Sequence, residues 1–423
     1  MPKIDKKSLQ EIAVEQRAQL AVDGGVERAA LTVVKKYFSL PQAVIVAGIR
    51  RCGKSTLLRQ VMSLLKDDYY YFNFEDERLI HFRAEQFNDL YEVLLELYGR
   101  RNIFFFDEIQ NVVGWERFVR RFQDNRFKFF ITGSNASLLS RELGTRLTGR
   151  YVDCTLYPFS FAEFLRWKNF EFLKKDLVKT TIRAELKKYF NEYFALGGMP
   201  EYLRFGSDEA LKKVYESIIY RDIITRYELK DERALRELCV YLFSNLAVPF
   251  SYTALKETLR LGSVNTVKSY IQYLENSFLF FTVNKFNFSY RKQIISPKKA
   301  YCIDNALAKA LGFSFSENKG RFLENIVFLE LKRRGYEPTY YLSAKGQEID
   351  FVVRPDAKKF ELLQVCWSLE NRHTKAREIA ALQTAMADFK ISVGYILTDD
   401  EDEEIKVDGK KIIVMSVYKW LLV

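Results

Sequence analysis

The sequence predicts an α/β protein in which a parallel-sheet core is followed by a helical region, a small helix-and-hairpin module and a second α/β domain. Three observations carry that prediction. Short, wholly apolar runs alternate with amphipathic, charge-bearing stretches through the first 160 residues. Helical patterns rich in aromatic and charged residues then fill 161–234. From residue 321 a helix is followed by renewed strand-like segments and a further helix. A chain of 423 residues suits two to four domains, at about 150 residues each.

Composition narrows the function classes. Apolar residues make up 48% and charged residues 29% of the chain, a globular balance that excludes disordered, collagenous and disulfide-scaffold proteins. Lysine and arginine number 66 against 55 acidic residues, and the net charge of +11 favours an anionic partner. Five cysteines (Cys52, Cys154, Cys239, Cys302, Cys366) form no C-x-x-C pair, and His81 and His373 are the two histidines. Neither a structural zinc site nor a disulfide framework is expected, and a cytoplasmic location is. The amino terminus has charges throughout and no apolar stretch of signal length. Nowhere do about 18 apolar residues run uninterrupted, so no membrane helix is expected.

The elements follow in order. Residues 1–40 read as two helices broken at Asp23-Gly24-Gly25. Pro41 opens the core, 41–160, whose strands are expected at 43–48, 69–74, 103–108, 127–133 and 151–159, with helices at 84–98 and 115–125. Residues 161–234 read as a helical lid or linker, 235–303 as a separate module and 304–423 as the last domain. The acid run at 399–404 reads as a solvated turn.

The sharpest chemical signal is Gly48-Ile49-Arg50-Arg51-Cys52-Gly53-Lys54-Ser55-Thr56, a match to G-x-x-x-x-G-K-[ST] between a buried strand and a helix. Its glycines let consecutive N–H groups wrap an anion, and the helix dipole adds positive potential there. Lys54 would reach the β- and γ-phosphates, and the Ser55 hydroxyl would hold Mg²⁺. At the end of the apolar strand 103–108, Asp107 would also bind Mg²⁺ and Glu108 would act as general base on the attacking water. The next strand ends in Thr132-Gly133-Ser134, where Thr132 or Ser134 would position that water; Ser134 serves equally well as a helix N-cap. Arg146 and Arg150 stand before the last strand. One of them would reach the γ-phosphate of a neighbouring subunit, or both are plain surface arginines.

The phosphate loop, FFFDEIQ, ITGSNASLLSREL and TGRYVDCTLYPFSFAEFL together resemble a prokaryotic AAA+-type ATPase family, and the resemblance continues into Gly197-Gly198-Met199-Pro200-Glu201-Tyr202. The resemblance implies that ATP is the nucleotide and that the chain assembles with copies of itself.

Residues 235–303 read as helix, helix, a Gly262-Ser263 turn, helix and hairpin, the order of a winged helix-turn-helix. In a DNA-binding version Asn265, Thr266, Lys268 and Ser269 would face the major groove, and Arg291 and Lys292 would touch phosphates. The alternative is a protein-packing module. The last hundred residues resemble the PD-(D/E)xK nuclease fold. That resemblance places Glu324, Asp350 and Gln364 at the acidic positions, with Cys366 where the family has lysine, and leaves Lys375 as a substitute cation. Cysteine has no positive charge at neutral pH, so an inactive nucleic-acid-binding or scaffolding version is favoured over cleavage. The expectation is an ATPase acting on DNA; its rivals are an ATPase that switches a protein partner and an ATP-gated nuclease.

Overall fold

The computed structural model describes residues 3–20, 24–65, 68–136, 147, 149–313, 318–356 and 359–423. It divides into two compact units, Met1–Leu156 with Asn276–Phe278, and Tyr157–Glu275 with Leu279–Val423.

The first unit is built on five strands: β1 (Ala43–Ala47), β2 (Tyr70–Asn73), β3 (Ile103–Asp107), β4 (Lys128–Gly133) and β5 (Tyr151–Thr155). All four pairings are parallel, in the order β2-β3-β4-β1-β5. The apolar runs form strands because both sheet faces are covered, so no position in β1 tolerates a polar side chain. Phe104 stacks on Phe129 and Phe105 on Phe130, with centroids 5.0 and 4.8 Å apart, on opposite faces of one β3–β4 register. Each buried phenylalanine contributes about 1.5–3 kcal/mol. Helices α1 (Lys6–Ala18), α2 (Ala29–Lys35), α3 (Lys54–Met62), α4 (Phe87–Tyr98) and α5 (Glu116–Asp124) cover the sheet. Asp5 caps α1 by accepting from the Ser8 N–H. Every strand of this sheet presents its carboxyl end to one edge, which is where a doubly covered sheet binds ligands.

The second unit begins with helices α6 (Phe161–Trp167), α7 (Thr180–Leu196), α8 (Pro200–Phe205) and α9 (Asp208–Ser217). Ser160 and Glu163 form a capping box that starts α6. Between α7 and α8, Gly197 adopts φ 68°, and a Cβ there would stand 2.0 Å from Asp304 Oδ1. The Asp304 carboxylate accepts from the Gly198 and Ala306 N–H groups at 2.7 and 2.8 Å. Gly197 is therefore required by a buried acid that holds the turn, and Gly198 by the Phe159 carbonyl oxygen, 2.3 Å from where a Cβ would stand.

Next come α10 (Glu232–Ser244), α11 (Tyr252–Thr258) and α12 (Val264–Asn276), and a three-stranded antiparallel sheet ordered β6 (Pro249–Phe250), β8 (Lys298–Cys302), β7 (Phe280–Asn284). Between β7 and β8 the chain forms a short helix, α13 (Tyr290–Ile295). After α14 (Asn305–Leu311) and α15 (Lys319–Arg333) comes a six-stranded mixed sheet. Its strands are β9 (Thr339–Leu342), β10 (Glu348–Asp356), β11 (Lys359–Val365), β12 (Val393–Thr398), β13 (Glu403–Val407) and β14 (Lys410–Ser416), in the order β13-β14-β12-β11-β10-β9. Helix α16 (Arg372–Asp388) packs on it and α17 (Val417–Trp420) follows its last strand.

The acid run at 399–404 is solvated at Asp400, Asp402, Glu403 and Glu404, with a bend at 399–400, but it is more than a turn. Glu403 and Glu404 begin β13. Glu401 accepts from the Leu369 N–H and the Ser368 hydroxyl, and Asp402 accepts from the Ser416 N–H at 3.1 Å. These carboxylates satisfy backbone donors at the sheet's end, a use that composition does not reveal. Among the described residues no helix is long and apolar enough to cross a membrane.

Candidate functional site

The loop 48–53 leaves the carboxyl end of β1 and enters α3 at Lys54. A Cβ on Gly48 would lie 2.2 Å from the Leu156 carbonyl oxygen, so the strand's exit admits only glycine. Arg51 and Gly53 take left-handed backbone, φ 65° and 97°, which curls the loop back on itself. Ile49 and Cys52 are buried, and the exposed side of Arg50 pairs with Glu75. Lys54, 4% exposed, donates to the Gly48 and Ile49 carbonyls at 3.1 and 3.3 Å and pairs with Glu108 Oε1 at 3.2 Å.

The acids come from the end of β3. Thr132 on β4 donates to Asp107, and its Oγ1 accepts from the Glu108 N–H at 3.0 Å. The Ser55 hydroxyl lies near Asp107 and works against the rise of its carboxyl. One threonine thus orients both acids. Glu108 itself sits at φ 51°, a strained conformation that the surrounding contacts enforce. Burial pushes Asp107 above the usual carboxylate range, helped by the neighbouring Glu108 charge. Glu108 is equally buried, yet the Lys54 ammonium holds it below its ordinary value. Gln110 donates to both Glu108 and the Ser134 hydroxyl, the latter at 3.2 Å. Lys54, Ser55, Asp107, Glu108, Thr132 and Ser134 therefore converge. Thr132 serves Asp107 and the Glu108 backbone, and Ser134 serves Gln110.

Arg150 is not brought there. β1 and β5 run parallel with Ala43 opposite Tyr151, so Arg150 lies at the amino-terminal edge, where it pairs with Asp124. It does not reach its own chain's loop. Arg146 and the segment 137–145 lie outside the described residues.

The loop's geometry suits a nucleotide and Mg²⁺. Its backbone closes where a Cβ would collide, its lysine is buried beside a carboxylate, and Ser55 and Asp107 form an oxygen pair of the kind a hard divalent ion requires.

A second buried lysine centre lies in the other unit. Lys299 on β8, 1% exposed, pairs with Glu324 at 2.9 Å, Glu348 at 2.8 Å and Asp350 at 3.3 Å. The Tyr301 hydroxyl donates to Glu324 Oε1 at 2.6 Å. Glu324 and Asp350 do meet. Gln364 stands beside Asp350: its Oε1 accepts from the Asp350 N–H at 3.3 Å and its Nε2 donates to Glu378 at 2.7 Å. Lys375 pairs with Glu403 and is not the substitute cation. Cys366 donates to the Ser368 carbonyl, and burial pushes its thiol up to about 11.

The expected nucleic-acid contacts are at the surface. Asn265 and Lys268 are exposed on the first turns of α12, with Thr266 and Ser269 half-buried beside them. The Ser263 hydroxyl accepts from the Asn265 and Thr266 N–H groups and so begins that helix. Arg291 and Lys292 are exposed on α13.

Residues 40–165 match the family described as an AAA domain, and 187–318 and 319–420 match two domains of unknown function, DUF8612 and DUF4143. The chain is 38% identical to uncharacterized protein MJ1544 of Methanocaldococcus jannaschii, over 99% of this chain and 96% of that protein. A Haemophilus influenzae uncharacterized protein is 32% identical, over 89% and 94%. The chain belongs to the family of these two uncharacterized proteins. Among solved structures, the Aeropyrum pernix Orc1 protein in complex with DNA aligns at 14% identity over 70% of this chain and 95% of that one, with a TM-score of 0.32. The Thermotoga maritima RuvB Holliday junction branch migration motor aligns at 15% over 64% and 92%, with a TM-score of 0.29.

The first unit also uses residues that its motifs do not announce. Arg28, buried ahead of α2, donates to the Cys52 carbonyl at 2.7 Å and closes the loop from the amino-terminal side. Gln60 on α3 donates to the Gly24 and Val26 carbonyls and pins that segment. Gln110 follows the acid pair directly, and its polarity beside a buried strand end was the available signal. Lys299 carried no such signal, being 25 and 51 residues from its partners.

Proposed function

We propose that the chain binds ATP with Mg²⁺ at residues 48–56 and hydrolyses it. The observation that carries this is the convergence of Lys54, Asp107, Glu108 and Thr132 at the carboxyl edge of the parallel sheet. Lys54 neutralises phosphate charge, and the loop's N–H groups grip the phosphates. Ser55 and Asp107 hold Mg²⁺, which when bound offsets charge on the β- and γ-phosphates. Glu108, kept ionised by Lys54 until phosphate competes for that lysine, accepts a proton from the attacking water. The role of an arginine from a neighbouring subunit falls to Arg150 or Arg146, in an assembly of several copies.

Action on DNA is the favoured coupling. It is supported by the +11 charge and by the exposed Asn265, Lys268, Arg291 and Lys292 on the helix-and-hairpin module, read as a winged helix. A protein partner is the second reading, and a specific observation favours it. Phe288, Tyr290, Ile294 and Ile295 are all exposed around Arg291 and Lys292, an apolar grouping of the sort protein interfaces use. Electrophoretic binding to duplex DNA, with and without ATP, separates the two. DNA action requires affinity that falls steeply with salt and depends on Lys268, Arg291 and Lys292. Salt-independent or absent binding leaves the protein partner.

A further inference from the structure

The nuclease-like resemblance implies a divalent metal between Glu324 and Asp350, and the side chains there do not fit one. The geometry points to a different cation: we propose that the Lys299 ammonium is the permanent occupant of this centre, and that it makes the centre a locked joint between β8 and the six-stranded sheet. This inference is independent of the ATPase reading.

The match of donors to acceptors carries it. An ammonium has three N–H donors; Lys299 Nζ donates to Glu324 at 2.9 Å and Asp350 at 3.3 Å and forms an ion pair with Glu348 at 2.8 Å. Those are hydrogen-bond distances. Mg²⁺ demands oxygens at about 2.0–2.1 Å, so a metal at that point would have to draw all three acids inward.

Their other contacts oppose such a movement. Tyr301 holds Glu324, and the second Asp350 oxygen accepts from the Val365 N–H at 2.9 Å. The centroid of the Tyr340 ring also stands 5.5 Å from Nζ. The lysine cannot withdraw either. β8 is the middle strand of its sheet, paired with β6 on one side and β7 on the other, so its backbone is fixed and the side chain is buried. Three carboxylates against one ammonium would be costly if all were ionised; burial accordingly raises Glu324 to about 7, which reduces the negative charge that the ammonium has to balance.

The test uses the full chain without nucleotide and Mn²⁺ as the probe, titrated by electron paramagnetic resonance. Wild type and Asp350→Asn are expected to bind Mn²⁺ identically. Lys299→Ala, with its near-ultraviolet dichroism intact, is expected to gain a site at least about tenfold tighter than any in the parent, and adding Asp350→Asn is expected to remove it. A wild-type chain that loses Mn²⁺ binding on Asp350→Asn overturns the proposal, as does a folded Lys299→Ala chain that gains none. Should Lys299→Ala not fold, the wild-type and Asp350→Asn pair decides alone: equal binding supports the resident ammonium, unequal binding refutes it.

Discussion

Among the described residues, two lysines are almost wholly buried against carboxylates, and they are held in opposite ways. Lys54 stands at the junction of a loop and α3, facing one carboxylate and two backbone carbonyls. Lys299 stands in the middle strand of a sheet, facing three carboxylates. Carbonyls are weak partners for an ammonium, so a polyphosphate competes for Lys54 on favourable terms. Lys299 donates to two carboxylates and is ion-paired with a third, so its charge is already matched by fixed acids and an incoming anion gains little there. Burial of a charge is common to both sites. Exchangeability is what separates a binding lysine from a structural one.

That contrast can be broken experimentally. The largest effect is expected from Glu108→Gln, which keeps ATP bound but lowers turnover by about 10²–10⁴-fold; single-turnover assays with radiolabelled ATP read it, and parental turnover would remove Glu108 from its role. Lys299→Met should lower the stability of the second unit by about 3–5 kcal/mol, because it strands buried carboxylates. Denaturant melts check this, and ATP should leave that loss unchanged while it stabilises the first unit of the parent.

Asp304 sharpens the comparison as a buried acid held mainly by N–H groups. Burial pushes its carboxyl up to about 6, so the folded state keeps a proton that the unfolded chain releases near pH 3.9. The associated stability is fully present below about pH 4 and is lost as pH rises through 6, about 3 kcal/mol in all. Asp304→Asn should flatten that slope in melts between pH 4 and 7. Thr132→Val should have the smallest effect, about 1–2 kcal/mol in stability, while lowering the affinity for Mg²⁺-ATP more than for ATP alone; calorimetry with and without Mg²⁺ distinguishes the two.

The sheet of the first unit was legible because a strand covered on both faces leaves no room for polar residues: Val44 to Val46, Phe104 to Phe106 and Phe129 to Ile131 could hardly be anything else. The phosphate loop was legible for a related reason, since its chemistry is local and compressed into nine residues. The Lys299 centre was not. Its cation and its acids come from β8, α15 and β10, and nothing in a linear pattern joins them. Strand β13 escaped notice because a polar edge strand lacks the apolar signature, and the acids before it bond backbone N–H groups while still meeting solvent. Arg28 and Gln60 were hidden similarly: a buried polar side chain that serves distant carbonyls looks like any surface residue until the chain is folded.

The middle position of β8 has a mechanical consequence. A strand paired along both edges and riveted by its side chain to a neighbouring sheet cannot shear against that sheet, so a push delivered to the hairpin is felt undiminished at β10 and α15. The hairpin and the larger sheet would travel together as a stiff lever, and any bending during a working cycle has to be sought in segments away from that rivet.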